Sequence, residues 1–159
     1  MDRMDIDIEA MIPHRDRMRL IDEVVEVDGE KAVTAATVKE DWPLYRDGFV
    51  DILVTIELVA QTAALLEGWK RVQSGLDGAS GWLVGIKTAD FRCPRLLVPS
   101  ILITEVRRSY ALEGYAVFSG TVRMGKEIVA TLSIQTFRSE DAYGKAATGD
   151  TPEHEPVPL

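Results

Sequence analysis

The sequence predicts an α+β fold in which one antiparallel sheet curls around a single long helix, and three observations carry that prediction. From Asp51 to Arg71, DILVTIELVAQTAALLEGWKR runs without proline for about five to six helical turns. Apolar residues fall on nearly every side of it, the pattern of a buried helix rather than a surface one. Two strand-like runs precede this stretch and four follow it, separated by turn dipeptides. The last run, EIVATLSIQTF, places Ile128, Ala130, Leu132 and Ile134 on one face and Val129, Thr131, Ser133 and Gln135 on the other, the alternation of a half-covered strand. A helix apolar all round exceeds what one sheet can cover. The sequence therefore also predicts a homodimer, or a dimer of dimers, whose second copy covers the remainder.

Taken in order, Asp5 to Met11 predicts one short helical turn ended by Pro13. RLIDEVVEV, rich in valine and isoleucine, reads as a strand, and Asp28-Gly29 turns it back into KAVTAATV. EDWPLYRDGF, with a proline and a glycine, reads as an irregular loop delivering the chain into the central helix, which ends between Trp69 and Val72. QSGLDGASG is a connector. WLVGIKTADF is the first of the four later strands, and SILITEVRRSYAL follows Pro99. Glu113-Gly114 turns into YAVFSGTVRM, and Gly125-Lys126 turns into the last strand. The polar stretch 139–159, with three prolines in its last eight residues, reads as a disordered tail behind a single domain over 1–138.

Bulk properties exclude several function classes. A chain of 159 residues with 26 acidic against 18 basic side chains, net charge −8, lacks the basic footprint of a nucleic-acid-binding surface. The helix is too interrupted by polar residues to span a bilayer. One cysteine, Cys93, precludes an internal disulfide and suits a reducing cytoplasm; MDRMDIDIEAM has no signal-peptide core. Two histidines and one cysteine are too few for a structural zinc site, and no cofactor is expected.

The lead to chemistry is Glu57, a carboxyl set in an oily helix with Gln61 four residues on and on the same face. An apolar setting raises a carboxyl pKa, so Glu57 is expected to act as an acid, and Gln61, which does not titrate, as its support. His14, beside Pro13, is a candidate base through its near-neutral titration, against a purely structural role. Asp47 and Asp51 are further base candidates, with bland alternatives as an Asp47-Gly48 turn and a helix-start acid. Cys93 reads as structural, and Trp42, Trp69 and Trp82 as core or interface aromatics.

Three segments resemble one known family. IPHRDRMRLIDEVVEVDGEKAVTA resembles the opening of hotdog-fold 3-hydroxyacyl-(acyl-carrier-protein) dehydratases; IELVAQTAALLEGW resembles their central helix; GWLVGIKTADFRCPRLLVPS resembles their glycine-isoleucine strand and the aromatic-basic-proline segment after it. The likeness is collinear from Ile12 to Phe137. The AQT…GW continuation is similar to the dehydratase-like subgroup of aryl polyene biosynthesis. The resemblance implies a hotdog homodimer acting on acyl thioesters of acyl carrier protein or coenzyme A. A loop histidine and the helix carboxylate of the neighbouring subunit would work together, with Glu57 as that carboxylate and Gln61 its companion. It also implies substrate contacts from Asp51, Ile52 and Gly85, with the Ile52 backbone N–H at the helix start as the thioester-oxygen donor. Lys87, Arg92 and Arg95 form a basic segment suited to an acidic carrier or to the phosphates of coenzyme A. The departure is the loop itself: LYRDGFVDIL contains no histidine, with Asp51 and Ile52 where the family has proline and glycine. Dehydration needs a base, an acid and an oxyanion donor, and here the base is open. Thioester hydrolysis, which needs only a carboxylate and a donor, is the alternative, and a non-catalytic acyl-binding subunit is the third reading.

Overall fold

The structure, a computed structural model, describes residues 4–77 and 81–138; the expected tail from residue 139 onward lies outside them. A short helix, α1 (Ile8–Met11), is capped by Asp7, whose carboxylate accepts the Glu9 and Ala10 N–H groups. Strands β1 (Glu23–Val27) and β2 (Lys31–Val38) form the hairpin expected around Asp28-Gly29. The central helix α2 spans Val54–Gln73. After it come β5 (Trp82–Phe91), β7 (Ser100–Leu112), β8 (Tyr115–Met124) and β9 (Glu127–Phe137), with the short β6 (Arg95–Leu97) between β5 and β7. The large sheet is antiparallel in the order β1-β2-β7-β8-β9-β5, and α2 packs mainly on β7 and β2.

Three expectations are corrected. The segment EDWPLYRDGF is not an irregular loop: it holds β3 (Tyr45–Arg46) and β4 (Phe49–Asp51), which pair with each other and then with β6 in a second, three-stranded sheet. Asp47 (φ 51°) and Gly48 (φ 84°) take the two left-handed positions that the hairpin turn needs. Strands of two and three residues are too short to show a periodicity. Because Asp51 closes β4, the helix begins at Val54 rather than Asp51, and Asp51 Oδ1 accepts the Leu53 N–H just ahead of it. The strict alternation in β9 also breaks: the register with β8 slips between Val122 and Arg123, which turns Val129 inward and leaves Ile128 only half-buried.

The core lies between α2 and the inward row of the sheet. Leu58, Val59, Leu65 and Leu66 of the helix are fully buried against Leu102, Val106, Val122 and Leu132. Each such side chain contributes roughly 1.5–3 kcal/mol by leaving water. Gly120 on β8 is what lets the helix settle this close, since a Cβ there would stand 2.5 Å from Val59 Cγ1. The helix is not covered on every side. One face of it, running Glu57, Ala60, Ala64, Glu67, looks into an open cavity over the far end of the sheet. No helix among the described residues is long and apolar enough to cross a membrane.

Gly120→Ala tests the packing. The added methyl must displace Val59 or the helix, so chemical denaturation should show a loss of roughly 1–3 kcal/mol; an unchanged midpoint would mean that the helix does not lean on β8.

Candidate functional site

Glu57 occupies the first turn of α2, which starts as the chain leaves the β3–β4 hairpin. His14 arrives from the segment between α1 and β1. Its Nε2 lies 3.2 Å from Glu57 Oε1, with the two side chains 27% and 35% exposed, so both are reachable from the cavity without being free in solvent. The second contact on Glu57 Oε1 comes from Gln61 Nε2, which donates at 2.8 Å. Neither of these two contacts uses Oε2.

Gln61 has no exposed surface and is fully engaged. Its Nε2 also donates to the Met18 carbonyl at 2.6 Å, and its Oε1 accepts the Leu20 N–H at 2.9 Å. It thereby ties the chain entering β1 to the helix. Arg15, next to His14, holds the same segment from the other side: Nη1 donates to the Ile12 and His14 carbonyls at 2.7 and 2.8 Å, and Nη2 to the Glu9 carbonyl at 2.8 Å. A planar, multiply donating guanidinium is the side chain suited to gathering three carbonyls. Sequence reasoning gave Arg15 no role; its signal was its place directly after His14.

The expected rise in the Glu57 pKa is overturned. The His14 hydrogen bond holds the carboxyl below the usual carboxylate range. Burial pushes it up but loses to that contact, and the Gln61 amide lowers it further. Glu57 is therefore ionised at neutral pH and suited to accept a proton, not to supply one. The Ile52 donor is overturned as well, because that N–H is committed to the Pro94 carbonyl at 3.2 Å in anchoring the helix start.

The other expected site residues lie apart from the pair. Asp51 is exposed and, with Asp47 and Arg95, borders a separate shallow groove on the small sheet. Asp47 is the hairpin turn residue, beside Arg46 in an exposed ion pair of 3.5 Å. Gly85 does not line the cavity. It lies opposite Gln135 on β9, whose carboxamide fills the space a Cβ would need. Lys87 is exposed on β5, Arg92 pairs with Asp90 at 3.5 Å, and the Arg95 guanidinium stacks 4.0 Å over the Phe49 ring, so none of the three borders the cavity. The cations that do are Arg108 and Arg138. Arg108 continues the inward row Leu102, Thr104, Val106 of β7, and a charge in that row was its signal in the sequence. Trp42 is in the core, Trp69 is packed against it, and Trp82 is 66% exposed on the edge strand at the cavity rim.

The cavity has a volume of about 920 Å³ and is walled largely by alanine and aromatic side chains. It suits a largely apolar ligand, with Glu57 and His14 together on its wall and Glu67, Arg108, Glu113 and Arg138 elsewhere in the lining. No cluster of metal-ligating side chains occurs among the described residues.

Comparison with known proteins shows the family and the fold. The ApeP-like family model, described as ApeP dehydratase, matches residues 6–146. The 3-hydroxyacyl-(acyl-carrier-protein) dehydratase FabZ of Alkaliphilus metalliredigens is 30% identical over 145 residues, covering 84% of this chain and 92% of that protein. Among solved structures, the dehydratase heterocomplex ApeI:P from Xenorhabdus doucetiae superposes with a TM-score of 0.79 at 21% identity, over 86% of this chain and 93% of that one. A thioesterase-described protein with coenzyme A from Streptococcus pneumoniae shares the fold at a TM-score of 0.57 and 12% identity, over 74% and 84% of the two chains.

A carboxyl whose folded pKa is lowered stabilises the protein fully above its ordinary value, 4.5, and loses that contribution as pH falls through the folded value. The difference in melting temperature between the wild type and Glu57→Gln should therefore be largest near neutrality and shrink as the pH falls below the ordinary carboxyl value of 4.5. A difference that grows on acidification would reverse the assignment.

Proposed function

The chain belongs to the ApeP-like dehydratase family, and from that premise we propose that it eliminates water from 3-hydroxyacyl thioesters, with Glu57 and His14 of one subunit as its proton-transfer pair. The observation that carries this reading is the 3.2 Å contact between His14 Nε2 and Glu57 Oε1 on the wall of the cavity. The loop lacks the histidine of the family pattern, and the segment before β1 supplies one instead.

The chemistry balances across that pair. Ionised Glu57 takes the α-proton of the thioester, which the carbonyl acidifies. The electrons left on the α-carbon form the double bond as the C–O bond breaks, and protonated His14 passes its Nε2 proton to the departing hydroxyl, releasing water. The proton now on Glu57 returns to His14 across their contact and resets the site. The ionised state of Glu57 supports the base role; Gln61 and Arg15 support it by holding carboxylate and imidazole in register.

Hydrolysis is the second reading, because an ionised carboxylate beside an apolar cavity also suits activation of water on a thioester. A single assay separates the two. With 3-hydroxyacyl pantetheine thioesters, dehydration appears as enoyl absorbance and hydrolysis as free thiol. The expected product is the enoyl thioester, and Glu57→Gln and His14→Ala should each lower its rate by roughly 10²–10⁴-fold. Thiol release alone would establish the thioesterase, and binding without either product would leave an acyl-binding subunit.

The reading includes a second copy beside β5. That strand lies at the sheet edge with Trp82, Leu83, Val84 and Ile86 all exposed, more apolar edge than a monomer leaves open. Sedimentation should give twice the chain mass, and Ile86→Lys should shift the protein toward monomer. A wild-type monomer at high concentration would remove the dimer. The carrier proposed to deliver the thioester, acyl carrier protein or coenzyme A, would meet the exposed basic side chains Lys87, Arg92 and Arg95 outside the cavity.

A further inference from the structure

We propose that the outward face of the small sheet, with Leu44 as its apolar anchor, binds the same face of a second copy of this chain. The turn that opens the sheet is the first observation. The Tyr45 N–H donates to the Trp42 carbonyl at 3.4 Å, closing a four-residue turn with Pro43 second and Leu44 third. Leu44 stands at φ 65°. Proline second and a positive φ third are the marks of a type II turn, whose third position ordinarily holds glycine or asparagine. A leucine there carries a steric penalty on its own backbone. The Asp51 N–H, donated to the Leu44 carbonyl at 3.2 Å, helps to hold that conformation. The side chain contributes little to the core, since Leu44 is 54% exposed. A strained position occupied by an exposed leucine points to a use outside the single chain.

The second observation is the face around that turn. Val50 and Leu96 turn inward and are fully buried, so their strand neighbours Phe49 and Leu97, paired in register, turn outward. Leu97 is 55% exposed, and the Phe49 ring lies under the Arg95 guanidinium at 4.0 Å. Leu44 and Phe49 border one shallow groove on this face together with Arg46, Asp47, Asp51 and Arg95. The Arg46 and Asp47 side chains are each 90% exposed.

The charges identify the occupant. Two arginines and two aspartates border the groove, so a partner of one net sign meets as much repulsion as attraction. A copy turned through a two-fold axis brings the same four charges in reversed order, so that arginines face aspartates while Leu44 is covered. The net charge of −8 opposes the approach of two copies, and pairing of this kind offsets it locally. So small a groove makes a weak contact, one that depends on concentration. None of its residues belongs to β5, so it adds to the second copy proposed there and does not replace it. Of the basic side chains proposed to meet the carrier it uses Arg95 alone; Lys87 and Arg92 lie outside the groove.

The test follows sedimentation of the full chain from micromolar to near-millimolar concentration. The wild-type mass should double toward the top of the series, from whichever species is present at the bottom, so the result does not depend on the dimer at β5. An acidic-face variant, Arg46→Glu/Arg95→Glu, and a basic-face variant, Asp47→Lys/Asp51→Lys, should each lose the doubling. An equimolar mixture of the two should regain it as a mixed species, because each face then meets its opposite. Leu44→Asn, which suits the turn, should melt no lower than the wild type and yet weaken the association roughly tenfold. A wild type that does not double, variants that double as the wild type does, or a mixture that stays apart would each overturn the proposal. Should a charge variant fail to fold, Leu44→Asn decides: association unchanged from the wild type overturns the proposal whatever the melting temperature.

Discussion

The arrangement at the site depends on one buried side chain, Gln61. A carboxamide has two donors and an acceptor, and a fully buried one must place them all. Gln61 spends its oxygen on Leu20, and its nitrogen on Met18 and Glu57. Those contacts belong to two parts of the chain that are far apart in sequence: the helix and the segment leading into β1. Removing them would leave the buried Leu20 N–H without its partner, at a cost of about 1–3 kcal/mol. The segment that delivers His14 therefore has little freedom to drift from the helix, and Arg15 removes more of it by gathering the carbonyls of Glu9, Ile12 and His14. The histidine is positioned by backbone anchored on both sides of it.

The charge state of Glu57 follows from that anchoring. A carboxyl in an apolar wall would ordinarily resist ionisation, as the sequence alone suggested. Burial here is incomplete, and an imidazole and an amide both reach the same oxygen. Specific hydrogen bonds outweigh partial desolvation, so the direction of the shift reverses. The difference bears on the proposed chemistry, because an ionised carboxylate accepts a proton where a neutral one donates it.

What was legible in the sequence was whatever repeats or is punctuated. The long strands and their turns at Asp28-Gly29, Glu113-Gly114 and Gly125-Lys126 are long enough for alternation to show, and the helix core around Glu57 and Gln61 is visible as polar residues out of place in an apolar run. The hairpin β3–β4 and strand β6 were not legible, since two or three residues carry no period and the pairing of β4 with β6 spans the helix in sequence. The bulge at Val129 was hidden because an apolar residue on the expected polar face is compatible with either register. Contacts between distant segments were the least accessible: nothing in local spacing says that His14 meets Glu57, or that Ile52 gives its N–H to Pro94.

The missing loop histidine takes a different meaning once the small sheet is in view. The family resemblance implied a histidine in that loop working with the carboxylate of a neighbouring subunit. Here the equivalent stretch is committed to pairing: Tyr45 and Arg46 bond across to Val50 and Phe49, and Phe49 to Asp51 bond onward to β6, with Arg95 stacked on the Phe49 ring. A segment hydrogen-bonded along this length holds the helix start in place, and the Ile52 N–H given to Pro94 extends the same anchoring to the first turn below Glu57. Its contribution to the site is therefore rigidity of the carboxylate, and the imidazole beside Glu57 comes from another segment. The segment after α1 is held against the same turn by Gln61, so a histidine there reaches Glu57 within its own chain. His14 and Glu57 therefore meet without a subunit boundary, and in the proposed dimer a second copy would matter for covering the apolar edge at β5 rather than for completing the pair.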